Sequence, residues 1–320
     1  MQRCNIAKRQ LLCPFVLTFQ EGGRNVEINR KILKVGIFLI GALVVLGYVG
    51  VYLLTLEEPV FIEHYIEEQL YTGDQQGPRQ AYVELYYITN VNDKRVVSKV
   101  DFPEYPDIQI PVSEYGMHGG FTMFSDGQQQ LPGTIEGRYN MRTVYLEFAF
   151  GEDYQDAESI EITEAIVHLS DGSVFETEIG SINFHFDEPR SEMLESRGSS
   201  GSSYRTDMEF IARADVELIG LESPFLTLID ENLEMTINGR DYHEMNGMEI
   251  EEGKRVFIQT KIGNADGIEE DFRYLKLRPK LRFISEDSKE ETVSLIVGWY
   301  RSPEYDFIEI LQYLQQKGAL

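Results

Sequence analysis

The chain has 320 residues, with 54 acidic and 29 basic side chains, a formal net charge of −25 and only two cysteines. Seven of the basic and two of the acidic residues fall within positions 1–34, which leaves 22 against 52 beyond, a charge near −30. A polyanion of that size does not wrap DNA or RNA and does not lie on an anionic lipid surface, so a nucleic-acid partner is excluded.

Residues 1–34 read as a basic tail that holds both thiols, Cys4 and Cys13. No histidine precedes His64, so this tail cannot by itself assemble a tetrahedral zinc site. Residues 35–56 carry no charge. Twenty-two residues at a helical rise of about 1.5 Å reach about 33 Å, enough for a hydrocarbon core of about 30 Å. The run is apolar all round and continues as Glu57-Glu58-Pro59 without a small-x-small cleavage pattern, so it reads as an uncleaved signal-anchor in the lipid bilayer. Basic residues precede it and acidic ones follow, which predicts a cytoplasmic N-terminus and extracytoplasmic residues 57–320. The absence of cysteine beyond Cys13 and of any N-x-[ST] sequon suits a bacterial cell envelope.

Residues 57–79 follow as an acidic stalk, with Phe61–Tyr71 as a short helix. Residues 80–190 are written as a first β domain, through segments such as "AYVELYYIT" and "SIEITEAIVHL". Asp171-Gly172 marks a two-residue type I′ hairpin whose inward face would hold Ile166, His168, Phe175 and Ile179. A long polar loop fills 115–140 and contains His118; loops of that length are often functional. Residues 191–205 have the Gly/Ser composition of a flexible linker.

Residues 206–320 form the second β domain. "EFIARADVEL" reads as one strand with Phe210, Ala212, Ala214, Val216 and Leu218 on one face, and Asn238-Gly239 as a second hairpin. A C-terminal helix is capped by Ser302 with Pro303 at its first position; Phe307, Ile310, Leu311 and Leu314 share a face that would cover this domain's sheet. The expected fold class is therefore mainly β. A single transmembrane helix precedes two antiparallel β-sandwich-like modules, the second closed by a helix. Barrel closure remains compatible with the same pattern.

Motifs for catalysis are absent. There is no G-x-S-x-G or S-x-x-K, "HEMNGM" lacks the second histidine of H-E-x-x-H, and "GMEIEEGKR" has the wrong spacing for a phosphate loop. Metal-ligand vocabulary occurs at His185 and Asp187. Hard oxygen donors gather around Asn264 and Asp266, and around Asp153 and Asp156, where structural calcium is the candidate cofactor, although neither loop follows the EF-hand spacing. The sequence thus favours a non-enzymatic, membrane-anchored binding or scaffolding protein with a protein or envelope-component partner outside. The alternatives are a regulator or accessory subunit whose tail docks a cytoplasmic or membrane partner, and an envelope hydrolase assembled around the 115–140 loop.

Overall fold

The computed structural model describes residues 25–70, 79–108, 110–115, 132–151, 154, 159–186, 191–202, 205–230, 232–263, 267–285, 288–298 and 305–320. The chain divides into two compact units, Met1–Thr55 and Leu56–Leu320. The described part of the first unit is helix α1 (Asn25–Leu53) and the residues that end it. Its stretch Arg30–Leu53 is 24 residues long and apolar enough to cross a membrane, and none of its apolar window is buried inside the protein.

In the second unit the described strands form four sheets. The first has β1 (Val60–Phe61), β3 (Arg79–Asn90), β7 (Tyr139–Phe150) and β5 (Val112–Ser113) in that order, with β6 (Thr134–Glu136) also on β7. The second runs β20 (Val297–Gly298), β17 (Tyr274–Leu277), β2 (His64–Gln69), β9 (Val174–His185), β8 (Ser159–Leu169) and β4 (Val97–Asp101). These two sheets face each other across one core. Alternate residues Val144, Leu146, Phe148 and Phe150 point inward from β7 and meet Ile182 and Phe184 of β9, with the Phe148 and Phe184 rings 4.7 Å apart.

The third sheet runs β10 (Leu194–Ser202), β11 (Arg205–Ala212), β16 (Arg255–Ile262), β13 (Leu233–Ile237) and β14 (Arg240–Asp241). The fourth runs β15 (Met248–Ile250), β12 (Val216–Glu222), β18 (Lys280–Ser285) and β19 (Glu290–Ser294). They enclose a second core, with Met208, Phe210 and Ile258 on one side and Leu218, Leu281 and Phe283 on the other. Short helices α2 (Leu226–Ile229) and α3 (Ile268–Asp271) and the terminal helix α4 (Phe307–Gln316) complete the unit. The mainly β class, with an apolar N-terminal helix, two sandwiches and a C-terminal helix, is what the structure shows.

Several details depart from the sequence reading. The stalk helix does not form: residues 64–69 are β2, a strand covered on both faces. It pairs in parallel with β9 through His64↔Gly180 to Gln69↔His185, and in parallel with β17 through Tyr274↔His64. Ile66 faces the first core while Tyr65 packs on the second, its ring 5.5 Å from that of Phe225. The acidic residues that made this segment look solvated have cationic partners from the far end of the chain. Glu63 lies 3.3 Å from Arg273 and 2.5 Å from Lys317, and Glu68 lies 2.5 Å from Lys276 and 3.2 Å from Arg278. Folded structure therefore begins at Leu56, itself buried, rather than at residue 80.

The Gly/Ser segment is also a strand. β10 pairs with β11 from Leu194↔Ala212 to Ser202↔Arg205, with a bulge between Ser196 and Gly198. Its side chains are exposed beyond Glu195, so composition reports their solvation and says nothing of the backbone pairing. The "EFIARADVEL" segment divides into β11 and β12, which belong to opposite sheets of the second sandwich. The boundary between modules is crossed again later. After β16, the chain returns to the first core with Phe272 and Tyr274, goes back for β18 and β19, and returns once more for β20 and α4. Helix α4 buries Ile310, Tyr313 and Leu314 against the first core rather than the second, with Phe307 stacked on Tyr139 at 5.9 Å. Its N-cap is Asp306, whose carboxylate accepts from the Ile308 and Glu309 amides while Glu309 reaches back to the Asp306 amide. The expected cap at Ser302 lies outside the described residues.

Turn chemistry separates the two hairpins. Asn238 and Gly239 both have positive φ, 51° and 79°, as a type I′ turn requires. At the other hairpin only Gly172 is positive, at +88°, and the Leu169 amide donates to Ser173, so the loop is the longer kind that ends in a left-handed glycine. That extra residue, with a bulge between Ile162 and Glu164, shifts the phase of β8. Ala165, Val167 and Leu169 face the core with Phe175 and Ile179, whereas Ile166 and His168 are half-buried.

Candidate functional site

Of the metal candidates expected from the sequence, only His185 lies among the described residues. His185 ends β9 with its Nε2 3.8 Å from Oε1 of Glu67. Glu67 in turn accepts from the Ser223 hydroxyl at 3.1 Å and the Arg278 amide at 2.9 Å. His185 therefore belongs to a polar seam along β2, between the two cores. Asp187, Asn264, Asp266, Asp153, Asp156 and His118 lie outside the described residues. Among the described residues no group of three or more His, Cys, Asp or Glu is placed to hold a metal ion.

His64 is the most perturbed histidine of the seam. Its Nε2 accepts the Tyr86 amide hydrogen at 2.7 Å, which leaves the ring proton on Nδ1, 3.3 Å from the Ile179 carbonyl. Complete burial of this satisfied neutral ring lowers its pKa to about 3. The unfolded chain takes up a proton at His64 below about pH 6.5 and the folded chain does not. Stability is therefore expected to fall as pH drops from about 6.5 toward 3, at up to about 1.4 kcal/mol per unit from this residue. Urea midpoints of wild type and His64→Asn at pH 7.5 and 5 check this. The variant is expected to be less stable at pH 7.5 and to show the smaller drop; an equal drop in both proteins would remove His64 as the source.

A concave feature with convergent polar groups lies in the second sandwich. It is an open cleft of 230 Å³. Gly220 and Leu221 of β12 line it just past the bulge between Leu218 and Gly220, with Leu226 of α2 and the short turn Tyr242–Glu244 opposite. Asp241 shapes that turn, its carboxylate accepting the His243 amide at 2.9 Å. The Tyr242 hydroxyl donates to the Asp230 carboxylate, and His243 Nε2 stands 3.8 Å from the same carboxylate. Burial first, and then the neighbouring Asp230, push the Tyr242 hydroxyl well above its usual range, so it remains a neutral donor.

The lining combines Ile219, Leu221, Leu226 and Met245 with the buried Tyr242, the exposed His243 and Asn246. Sequence reasoning found the turn in "NGRDYHEMNG" and rejected its zinc motif, but missed the cleft. Asp230 and Tyr242 are twelve positions apart, and no local pattern joins them.

No family model and no curated protein matches the chain. Among solved structures, it is similar to fibronectin(III)-like modules of Clostridium thermocellum CbhA, at 12% identity over 78% of this chain and 97% of that one, with a TM-score of 0.16. It is likewise similar to the Pseudomonas aeruginosa CupB2 chaperone, at 9% identity over 74% of this chain and 100% of that one, with a TM-score of 0.15. Neither likeness carries an argument. The sandwich architecture rests on the strand pairing and the two cores.

Proposed function

We propose that this chain is a membrane-anchored extracytoplasmic protein of the bacterial cell envelope that binds or organises a protein or envelope component. The observation that carries the reading is α1. Its apolar residues stand exposed along the whole of Arg30–Leu53, and such a surface needs lipid around it. The charge step from a basic tail to an acidic unit supports a cytoplasmic N-terminus. The cleft in the second sandwich, lined by Leu221, Leu226, Met245 and the exposed His243, supports a binding surface there.

The test is thiol accessibility. Intact and permeabilised cells are treated with a membrane-impermeant maleimide, using Ser200→Cys on the exposed strand β10 as the outside reporter. Cys4 and Cys13 are expected to react only after permeabilisation, and position 200 at once. Reaction of the native thiols in intact cells would invert the topology and end the envelope reading.

A further inference from the structure

The outer face of the first sheet has an arrangement that the cleft does not use. In β3 and β7 the outward residues pair as Gln80↔Ala149, Tyr82↔Glu147 and Glu84↔Tyr145, and the face ends at Tyr86↔Thr143, where the Tyr86 ring lies against His64 and Tyr274. Tyrosine and glutamate therefore alternate along each strand and across the pair, with Ser113 of β5 beside Tyr145. Tyr82 is 52% exposed, and Glu84, Tyr145 and Glu147 are half-buried. The carboxylates are met by tyrosine hydroxyls, Tyr82 donating to Glu147 at 3.4 Å and Tyr86 to Glu84 at 2.8 Å. Among the described residues neither Glu84 nor Glu147 has a cationic partner, and no basic side chain stands among these outward positions. Elsewhere in the unit acidic side chains such as Glu63, Glu68, Asp93 and Glu234 are ion-paired.

We propose that this face binds an extended polypeptide segment whose lysine or arginine side chains recur at every second residue. Three features choose that occupant. Tyrosine faces next to carboxylates are the groups that attract ammonium and guanidinium ions together, one through the ring quadrupole and the other through charge. The face repeats along each strand at about 6.7 Å, the spacing of alternate side chains in any extended chain. The unit also carries a strong negative charge, which speeds the approach of a basic segment. The proposal does not depend on which side of the membrane the unit occupies.

The experiment uses the full chain in lipid nanodiscs and a fluorescein-labelled peptide of six Lys-Thr repeats, followed by anisotropy. The control peptide has the same composition as a lysine block followed by a threonine block. The alternating peptide is expected to bind at least fivefold more tightly than the block. Glu84→Gln with Glu147→Gln is expected to weaken it about tenfold, and Tyr82→Leu severalfold. The charge-matched pair Glu176→Gln with Glu249→Gln, both exposed and on other sheets, should stay within twofold of wild type. Thermal midpoints unchanged from wild type establish that the variants are folded. Equal weakening by both glutamine pairs would reduce the effect to bulk charge and overturn the proposal. So would absence of binding, or binding of a chitin-derived hexasaccharide in place of the peptide that Tyr82→Leu abolishes.

Discussion

Gly180→Ala is expected to lower the unfolding free energy by about 3–5 kcal/mol, a loss at the severe end for one methyl group. Gly180 sits in β9 at φ +91°, where an L side chain costs about 1–3 kcal/mol before any contact is considered. The added Cβ would also lie 2.3 Å from the carbonyl oxygen of His64 and 2.6 Å from its amide nitrogen. Those are backbone atoms of the neighbouring strand and cannot rotate away. Relief requires β2 and β9 to separate at the residue where their parallel ladder begins. Gly172→Ala provides the internal comparison. Its φ is +88°, nearly the same, yet nothing lies within 4 Å of its added Cβ. It should show the backbone cost alone. Chemical denaturation of both variants decides the matter, and equal losses would mean that the contact with His64 contributes nothing.

A chain ended at residue 190 is expected not to fold cooperatively, although a strand-based reading would place a complete domain before that point. The truncation removes β17, the parallel neighbour of β2, together with Phe272, Tyr274, Tyr305, Ile310, Tyr313 and Leu314 from the first core. It also strips Glu63 and Glu68 of Arg273, Lys276, Arg278 and Lys317. Carboxylates left half-buried without their cations add to the loss of apolar burial. Far-UV circular dichroism through a urea titration, together with limited proteolysis, compares the shortened chain with the full one. A sharp transition and protease resistance in the shortened chain would show that the first sandwich is self-sufficient.

What could be read in the sequence follows how far each signal reaches. Strands whose neighbours are close in sequence were legible, as in β8–β9 and β13–β14, because alternation and turn residues act within a dozen positions. The apolar helix was legible from composition alone. β2 was not, since its partners Gly180 and Tyr274 are more than a hundred residues away and its glutamates are compensated only in the folded unit. β10 was misread for the opposite reason. Its serines and glycines remain in solvent, so nothing in their polarity distinguishes a strand from a linker. The extra residue in the loop that ends at Gly172 put Val167 rather than His168 opposite Phe175 and inverted the expected face of β8, because a period of two carries no warning of an inserted residue. The cleft around Tyr242 escaped for want of any sequence-local link to Asp230.

The position of β2 also governs the order in which the protein can be completed during synthesis. This strand is among the first parts of the folded unit to emerge, yet one of its edges stays unpaired until β17 is made, about two hundred residues later. Through most of elongation the nascent chain displays an open parallel edge and an uncovered apolar core, the hazards that invite wrong pairing and call for a holding chaperone. Ribosomal pausing or premature release near the C-terminus would thus affect the first sandwich as severely as the second. The last fifty residues complete what the first fifty of the unit begin.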